Sequence, residues 1–278
     1  MCKVHHGTVE RLIDKSGDHS QAIHEECAVD LELTAIQSDE RHGTVEEKKQ
    51  QYWEATTIDP KSKFLLSLRL GKRNNELIRE LLEDTVKRIK HPQDLVLFTD
   101  GEHGYATYFP EVFGVEIKPK HTGRRGRPKG TQYHIPRTLA HVQIIKNRKG
   151  NKLKSVDIRY TYGTKARVSR ELDKLNYNVP NTSAVERQNG TARQHNAFMK
   201  RKGLALAKKT LTRDAVAEIS RLNYNWVAKH RSLKLLLDNP IGRKKYQHRT
   251  PAMAIGITSE IFSLPELLAT PVHVLRSP

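Results

Sequence analysis

Three of the chain's 31 acidic residues stand where carboxylates could do chemistry. Asp39 closes the run Leu33-Thr-Ala-Ile36-Gln-Ser. Asp100 closes Leu95-Val96-Leu97-Phe98-Thr99, with Gly101 behind it, and Glu186 falls in the first turns of a predicted helix. Short apolar runs bounded by turn residues read as buried strands, and the carboxyl ends of such strands are where open α/β sheets hold their ligands. If the strands ending at Asp39 and Asp100 are neighbours, both aspartates face one crevice and a later helix lays Glu186 across it. Three clustered carboxylates repel one another unless cations sit between them, and hard oxygen ligands with open positions suit Mg²⁺ or Mn²⁺. Two such ions about 4 Å apart clamp the attacking and leaving oxygens of a phosphodiester, so no side-chain nucleophile is needed. Taken alone, Thr99-Asp100-Gly101 reads more simply as a turn or a helix cap.

The elements that must position these acids can be read in order. Residues 8–27 suggest two short helices, Thr8–Lys15 and Asp18–Cys27, split at Ser16-Gly17: either the tail of a helix-turn-helix or a small helical hairpin. Leu33–Ser38, Tyr52–Ile58 and Phe64–Leu70 read as three strands, with Asp59 an Asx-turn residue ahead of Pro60. A helix capped by Asn74 or Asn75 follows and stops at His91-Pro92. Then come the Leu95–Thr99 strand, a helix near His103–Phe113 and a short strand Val115–Ile117. Three strands, a helix and a further strand predict a mixed sheet fed through a helical crossover. Leu139–Lys146 and Leu153–Tyr160 form a hairpin. The helix opened by Asn181 or Thr182 carries Glu186, Asn189, Gly190, Arg193 and Ala197 on one stripe and runs on toward Lys200. A last helix covers Arg213–Lys229, and residues 236–278 read as an extended tail. Glu40, next to Asp39, is expected on the opposite face in a supporting role, and His103 and His195 are expected to be structural or solvated.

Charge divides the chain. Of a net +18, residues 1–50 (6 basic, 11 acidic) carry −5 and 51–113 (9 and 10) carry −1. Residues 114–174 (17 and 4) carry +13 and 175–278 (17 and 6) carry +11. An acidic half that holds the aspartates is joined to a basic half built to meet a polyanion. With aromatics at only 6%, double-stranded DNA is a better partner than a membrane surface. The loop Thr122-Gly-Arg-Arg-Gly-Arg-Pro-Lys-Gly130 offers Arg124, Arg125, Arg127 and Lys129 in an extended form that suits a narrow minor groove; the plain alternative is a solvated basic loop. Asn189 and Arg193 are candidates to contact DNA or to order the carboxylates, and Lys200, Arg201 and Lys202 to track phosphates. Two cysteines without a Cys-x-x-Cys pair exclude a disulfide framework and a cysteine-based zinc ribbon. No apolar run approaches membrane-spanning length, and a soluble, cytoplasmic protein is expected.

These residues also carry a resemblance. Ile36-Gln-Ser-Asp39-Glu40, Trp53-Glu-Ala-Thr-Thr-Ile-Asp59-Pro-Lys-Ser62 and Leu97-Phe-Thr-Asp100-Gly101 form its first part. Thr182-Ser-Ala-Val-Glu186-Arg-Gln-Asn189-Gly190-Thr-Ala-Arg193, Tyr224-Asn225, His230-Arg-Ser-Leu233 and Arg249-Thr-Pro251-Ala252-Met253 complete it. Together they resemble the DDE transposases of bacterial insertion sequences, in particular the insertion-sequence-one-like group. The resemblance runs from about residue 31 to the end. It implies a ribonuclease H-like α/β fold: a mixed sheet flanked by helices, with a basic loop and β-hairpin insertion (118–165) before the helix carrying the last acid. The core would span 31–235, between a short helical segment (1–30) and the tail. The resemblance further implies metal-dependent cleavage and strand transfer of transposon ends. It makes Asp39, Asp100 and Glu186 the ligands of Mg²⁺ or Mn²⁺, as two ions, in a homodimer or larger assembly on nucleoid DNA. This sequence departs from the family where the first motif continues Arg41-His42-Gly43, a place more often apolar or aromatic. A protein that only binds DNA, its chemistry lapsed, and a metal-dependent nuclease without transposition stay open as alternatives.

Overall fold

A computed structural model describes residues 4–118, 130–150, 152–200, 205–241 and 244–275. The chain opens with helix α1 (His6–Cys27) and strands β1 (Ala35–Arg41), β2 (Thr44–Val45), β3 (Glu47–Gln51), β4 (Trp53–Ile58) and β5 (Leu65–Gly71). Helix α2 (Asn75–Arg88), β6 (Val96–Thr99), α3 (His103–Phe113), β7 (Val115–Ile117), β8 (Gln132–His134), β9 (Ala140–Lys149) and β10 (Lys152–Tyr162) follow. Helices α4 (Lys165–Leu175), α5 (Ser183–His195) and α6 (Thr210–Leu222) precede the hairpin β11 (His230–Ile241) and β12 (Lys244–Arg249). Two short helices, α7 (Pro251–Ile255) and α8 (Leu264–Ala269), come last. Among the described residues, no helix is long and apolar enough to cross a membrane.

Six strands form one mixed sheet in the order β10-β9-β6-β1-β4-β5. β1, β4 and β5 make an antiparallel meander, whereas β6 runs parallel to β1 and β9 parallel to β6. Period-two alternation sends successive side chains to opposite faces. Ile36, Leu66, Leu95 and Leu97 enter the larger core with α1, α2 and α3. Ala35, Val96, Phe98 and Val142 meet Val168 and Leu172 of α4 on the other face, and Ile58 and Leu65 meet Ala184 and Val185 of α5 there.

Four expectations change. The 139–160 hairpin is not an insertion: β9 pairs with β6 and completes the main sheet. The two N-terminal helices are one, because Gly17 lets the backbone of α6 approach rather than breaking the turn. A Cβ there would lie 2.5 Å from the Ala215 Cα. The helix carrying Glu186 ends at His195, where Asn196 accepts from the Phe198 amide and turns the chain. The tail is structured, and Pro251 and Pro265 sit in the first turns of α7 and α8, where no amide donor is lost. It folds back on α1, and His19 Nε2 lies within hydrogen-bond distance of the Leu267 and Thr270 carbonyls. Helix α4, which the basic composition of 114–174 hid, is capped by Thr164 and held by Arg167 between Glu171 and Asp94.

Candidate active site

The site forms where the pairing of β1 with β6 stops, β1 running on to Arg41 beside β4. The parallel register of β1 with β6 pairs Ser38 with Thr99. One residue further along each strand, Asp39 and Asp100 hold matching positions and share the face that carries α4 and α5. Adjacent strands lie about 4.8 Å apart, so the two carboxylates are brought close by backbone pairing alone. The alternation turns Glu40 to the other face, where it meets Tyr105.

Helix α5 is set onto this edge by Gln37. Its side-chain oxygen accepts from the amides of Ala184 (2.9 Å) and Val185 (3.1 Å), and its nitrogen donates to the Asn181 carbonyl (2.9 Å). One turn into the helix, the Asn189 amide nitrogen donates to Asp39 Oδ2 at 2.7 Å. The Asn189 oxygen accepts from Arg41 Nη1 (3.2 Å), which also donates to Gln188 (2.6 Å). Arg41 Nε reaches the buried Glu54 at 2.5 Å, and Arg213 of α6 binds the other Glu54 oxygen. A buried chain of side chains therefore runs from Asp39 through Asn189, Arg41 and Glu54 to Arg213. At the other strand end, Asp100 Oδ1 accepts from the Glu102 amide (3.0 Å), the Gln143 side chain donates to the Glu102 carbonyl, and Arg73 binds the Glu102 carboxylate.

The electrostatics follow from this packing. Burial, then the negative charges of Asp100 and Glu186, push the Asp39 carboxyl up to about 7. Burial, then Glu102 and Glu186, raise Asp100, against a lowering by the Glu102 amide. Burial also lifts Glu40 to about 7; Asp100 and Asp39 add to this and the Tyr105 hydroxyl opposes it. Burial alone would raise Glu54, but Arg41 and Arg213 outweigh it and hold the carboxyl below its usual range. His141, within 3.0 Å of the Thr99 hydroxyl, is pushed down to about 3 by burial and is neutral.

Glu186 reaches the same neighbourhood without joining the pair. Its side chain is 44% exposed, and its carboxylate is held by Lys146 Nζ of β9 and the Thr182 hydroxyl. Among the described residues, no three His, Cys, Asp or Glu side chains are grouped so as to hold one metal ion. Asp39 and Asp100 are the acids that could share a cation here.

The other predicted residues divide. Asn189, offered above to DNA or to the carboxylates, is 3% exposed with both amide atoms engaged, so it orders Asp39 and presents no surface to DNA. Arg193 is half-buried and its charge acts on Asp39. Lys200 is exposed. Arg124, Arg125, Arg127, Lys129, Arg201 and Lys202 lie outside the described residues. Asp59 takes its expected turn role, accepting from the amides of Lys61 and Ser62. His103 binds Thr107, and His195 is exposed. Sequence reasoning missed Gln37, Arg41, Glu54, Lys146 and Gln188; period-two alternation would have placed Gln37 and Arg41 on the Asp39 face. Searches against protein-family models and against curated proteins each return no match.

Proposed function

We propose that this chain is a DDE-type transposase, a metal-dependent polynucleotidyl transferase that cleaves and joins the ends of an insertion sequence. The observation that carries the reading is that Asp39 and Asp100 each stand one residue past Ser38 and Thr99, the last paired positions of parallel neighbours, with the charge of Glu186 on α5 acting on both. A three-strand meander with parallel strands added beside its first strand agrees with a ribonuclease H-like core. The donor set suits a divalent cation: burial raises the cost of ionising both carboxylates, Asp100 adds to it at Asp39 and Glu186 at both, and a cation between them would remove that cost. Mg²⁺ or Mn²⁺ held by Asp39 and Asp100 would supply Lewis acidity at a scissile phosphate.

The remaining steps belong to the chain's own residues. Asn189, its amide oriented by Arg41, keeps one Asp39 oxygen in place, and the Glu102 amide keeps one Asp100 oxygen. Lys146 neutralises Glu186, and the Thr182 hydroxyl fixes its carboxylate beside the pair. The β9–β10 hairpin exposes Arg148, Lys149, Lys152 and Lys154 beyond this edge, a basic track for the DNA backbone.

The test compares wild type with Asp100→Asn on DNA carrying the element's ends. Mg²⁺-dependent nicking and joining should be lost, while salt-sensitive binding in a gel-shift assay stays within about twofold, since only about one carboxylate charge changes. The attachment of Glu186 to Lys146 favours a second reading, a DNA-binding protein without chemistry. A wild-type chain that binds DNA but performs no metal-dependent phosphodiester reaction would establish that reading.

A further inference from the structure

Behind the acid pair, between α5, α6 and the start of β11, lies a cleft of about 490 Å³. Its wall includes Arg41, Arg221, Lys229, His230 and Arg231, and among the described residues no aspartate or glutamate lines it. Apolar surface comes from Leu65, Ala192, Ala217, Ile219, Tyr224 and Leu264, and side-chain amides from Gln188, Asn196 and Asn223. Arg221 is the unusual member. Its side chain is 1% exposed and binds Glu218 through Nη2, yet its Nε and Nη1 have no hydrogen-bond partner among the described residues. A buried guanidinium with two idle donors costs free energy, and because both atoms are closed to solvent it gives the cleft a positive wall while Lys229 and Arg231 present the accessible cations. Burial holds Arg221 below its usual range, with Glu218 opposing.

We propose that this cleft binds a nucleotide unit, either free or at the 5′ end of a DNA strand. Its phosphate would be taken by Lys229 and Arg231, and its base would lie among the apolar wall and the amides. A volume of this size holds a small organic ligand but not a duplex, and a wall that combines cations, apolar surface and side-chain amides fits a phosphate attached to a heterocycle. Inorganic phosphate fills only the cationic part. Arg41 and Gln188 line the cleft and also hold Asn189, so a ligand there touches the chain of side chains that ends on Asp39. The inference stands apart from the proposed transposase activity, because the cleft's chemistry does not depend on the acid pair.

The test is isothermal titration of the full chain with 2′-deoxyadenosine 5′-monophosphate, inorganic phosphate, and a trinucleotide with and without a 5′ phosphate. Saturable binding of the mononucleotide assigns the free form; binding of the 5′-phosphorylated trinucleotide alone assigns the strand end. In either case Arg231→Gln and Lys229→Gln, both at exposed positions, should each weaken binding about tenfold, the loss expected of one charge-assisted hydrogen bond. Ala228→Phe, which fills the cleft, should abolish it. The proposal fails if neither nucleotide form binds or if inorganic phosphate binds as tightly as the mononucleotide. It fails equally if the cleft variants leave binding unchanged while circular dichroism shows them folded.

Discussion

Replacing Asp39 by Asn should stabilise the protein while removing its proposed chemistry, and the gain should grow with pH. In the folded chain the Asp39 carboxyl sits at about 7, against an ordinary 3.8. A group whose pKa is raised by folding costs no stability below its unfolded value; the cost builds from there and is complete above the folded value. With each pKa unit worth about 1.4 kcal/mol, the penalty at pH 8 is about 4 kcal/mol, at pH 5 about 2 kcal/mol, and below pH 4 under about 1 kcal/mol. The Asp39→Asn variant carries no such charge, yet its side-chain oxygen can still accept from Asn189. Urea unfolding in EDTA at pH 5 and pH 8 should therefore show the variant more stable at both, by about 2 kcal/mol more at pH 8. Mg²⁺ should stabilise wild type at pH 8 and leave the variant unmoved. A gain that is constant across this pH range, or a variant less stable than wild type at pH 8, would refute the assignment of Asp39 to a crowded, half-buried acid cluster.

Three further outcomes follow from the packing. Arg41→Met leaves Glu54 buried with Arg213 as its one remaining ion-pair partner and should cost about 3–5 kcal/mol in urea unfolding; a loss under about 1 kcal/mol would show that the chain of side chains is dispensable. Gly17→Ala places a methyl 2.5 Å from the Ala215 Cα and should cost about 1–3 kcal/mol as α1 lifts from α6, read as a lowered Tm; an unchanged Tm would restore the reading of Gly17 as a helix break. Lys146→Met removes the cation paired with Glu186 and leaves the Thr182 hydroxyl on it, so the Mg²⁺-induced rise in Tm should reach half its maximum at lower Mg²⁺ than in wild type, and an unshifted titration would detach Glu186 from the cation site.

What was legible in the sequence was what depends on local pattern. The run Leu95–Thr99 and the turn at Asp59 needed only apolar periodicity and a turn residue, and both stand where they were read. The pairing of Asp39 with Asp100 was readable because a meander followed by a helical crossover leaves few places for the next strand. The rest depends on partners far apart in the chain. Arg41 looks like a departure from an apolar pattern until Glu54 and Gln188 close around it, 13 and 147 residues away. Gly17 reads as a break because nothing local says that α6 will pass within contact distance. Asn189 faces the right way on its helix, but whether it meets solvent or Asp39 is decided by the depth to which Gln37 draws α5 onto the sheet.

That docking by Gln37 has a consequence for how the chain tolerates length changes. One side-chain amide indexes the first turn of α5 against β1 by three hydrogen bonds. A residue inserted at the exposed Asn178–Val179 is taken up by the loop, and Glu186 keeps its bearing. A residue inserted between Val185 and Glu186 rotates everything downstream by about 100°, which swings both Glu186 and Asn189 off the sheet edge while leaving the helix intact. Homologous chains with this fold should therefore vary in length at 178–179 and hardly at all between positions 184 and 189.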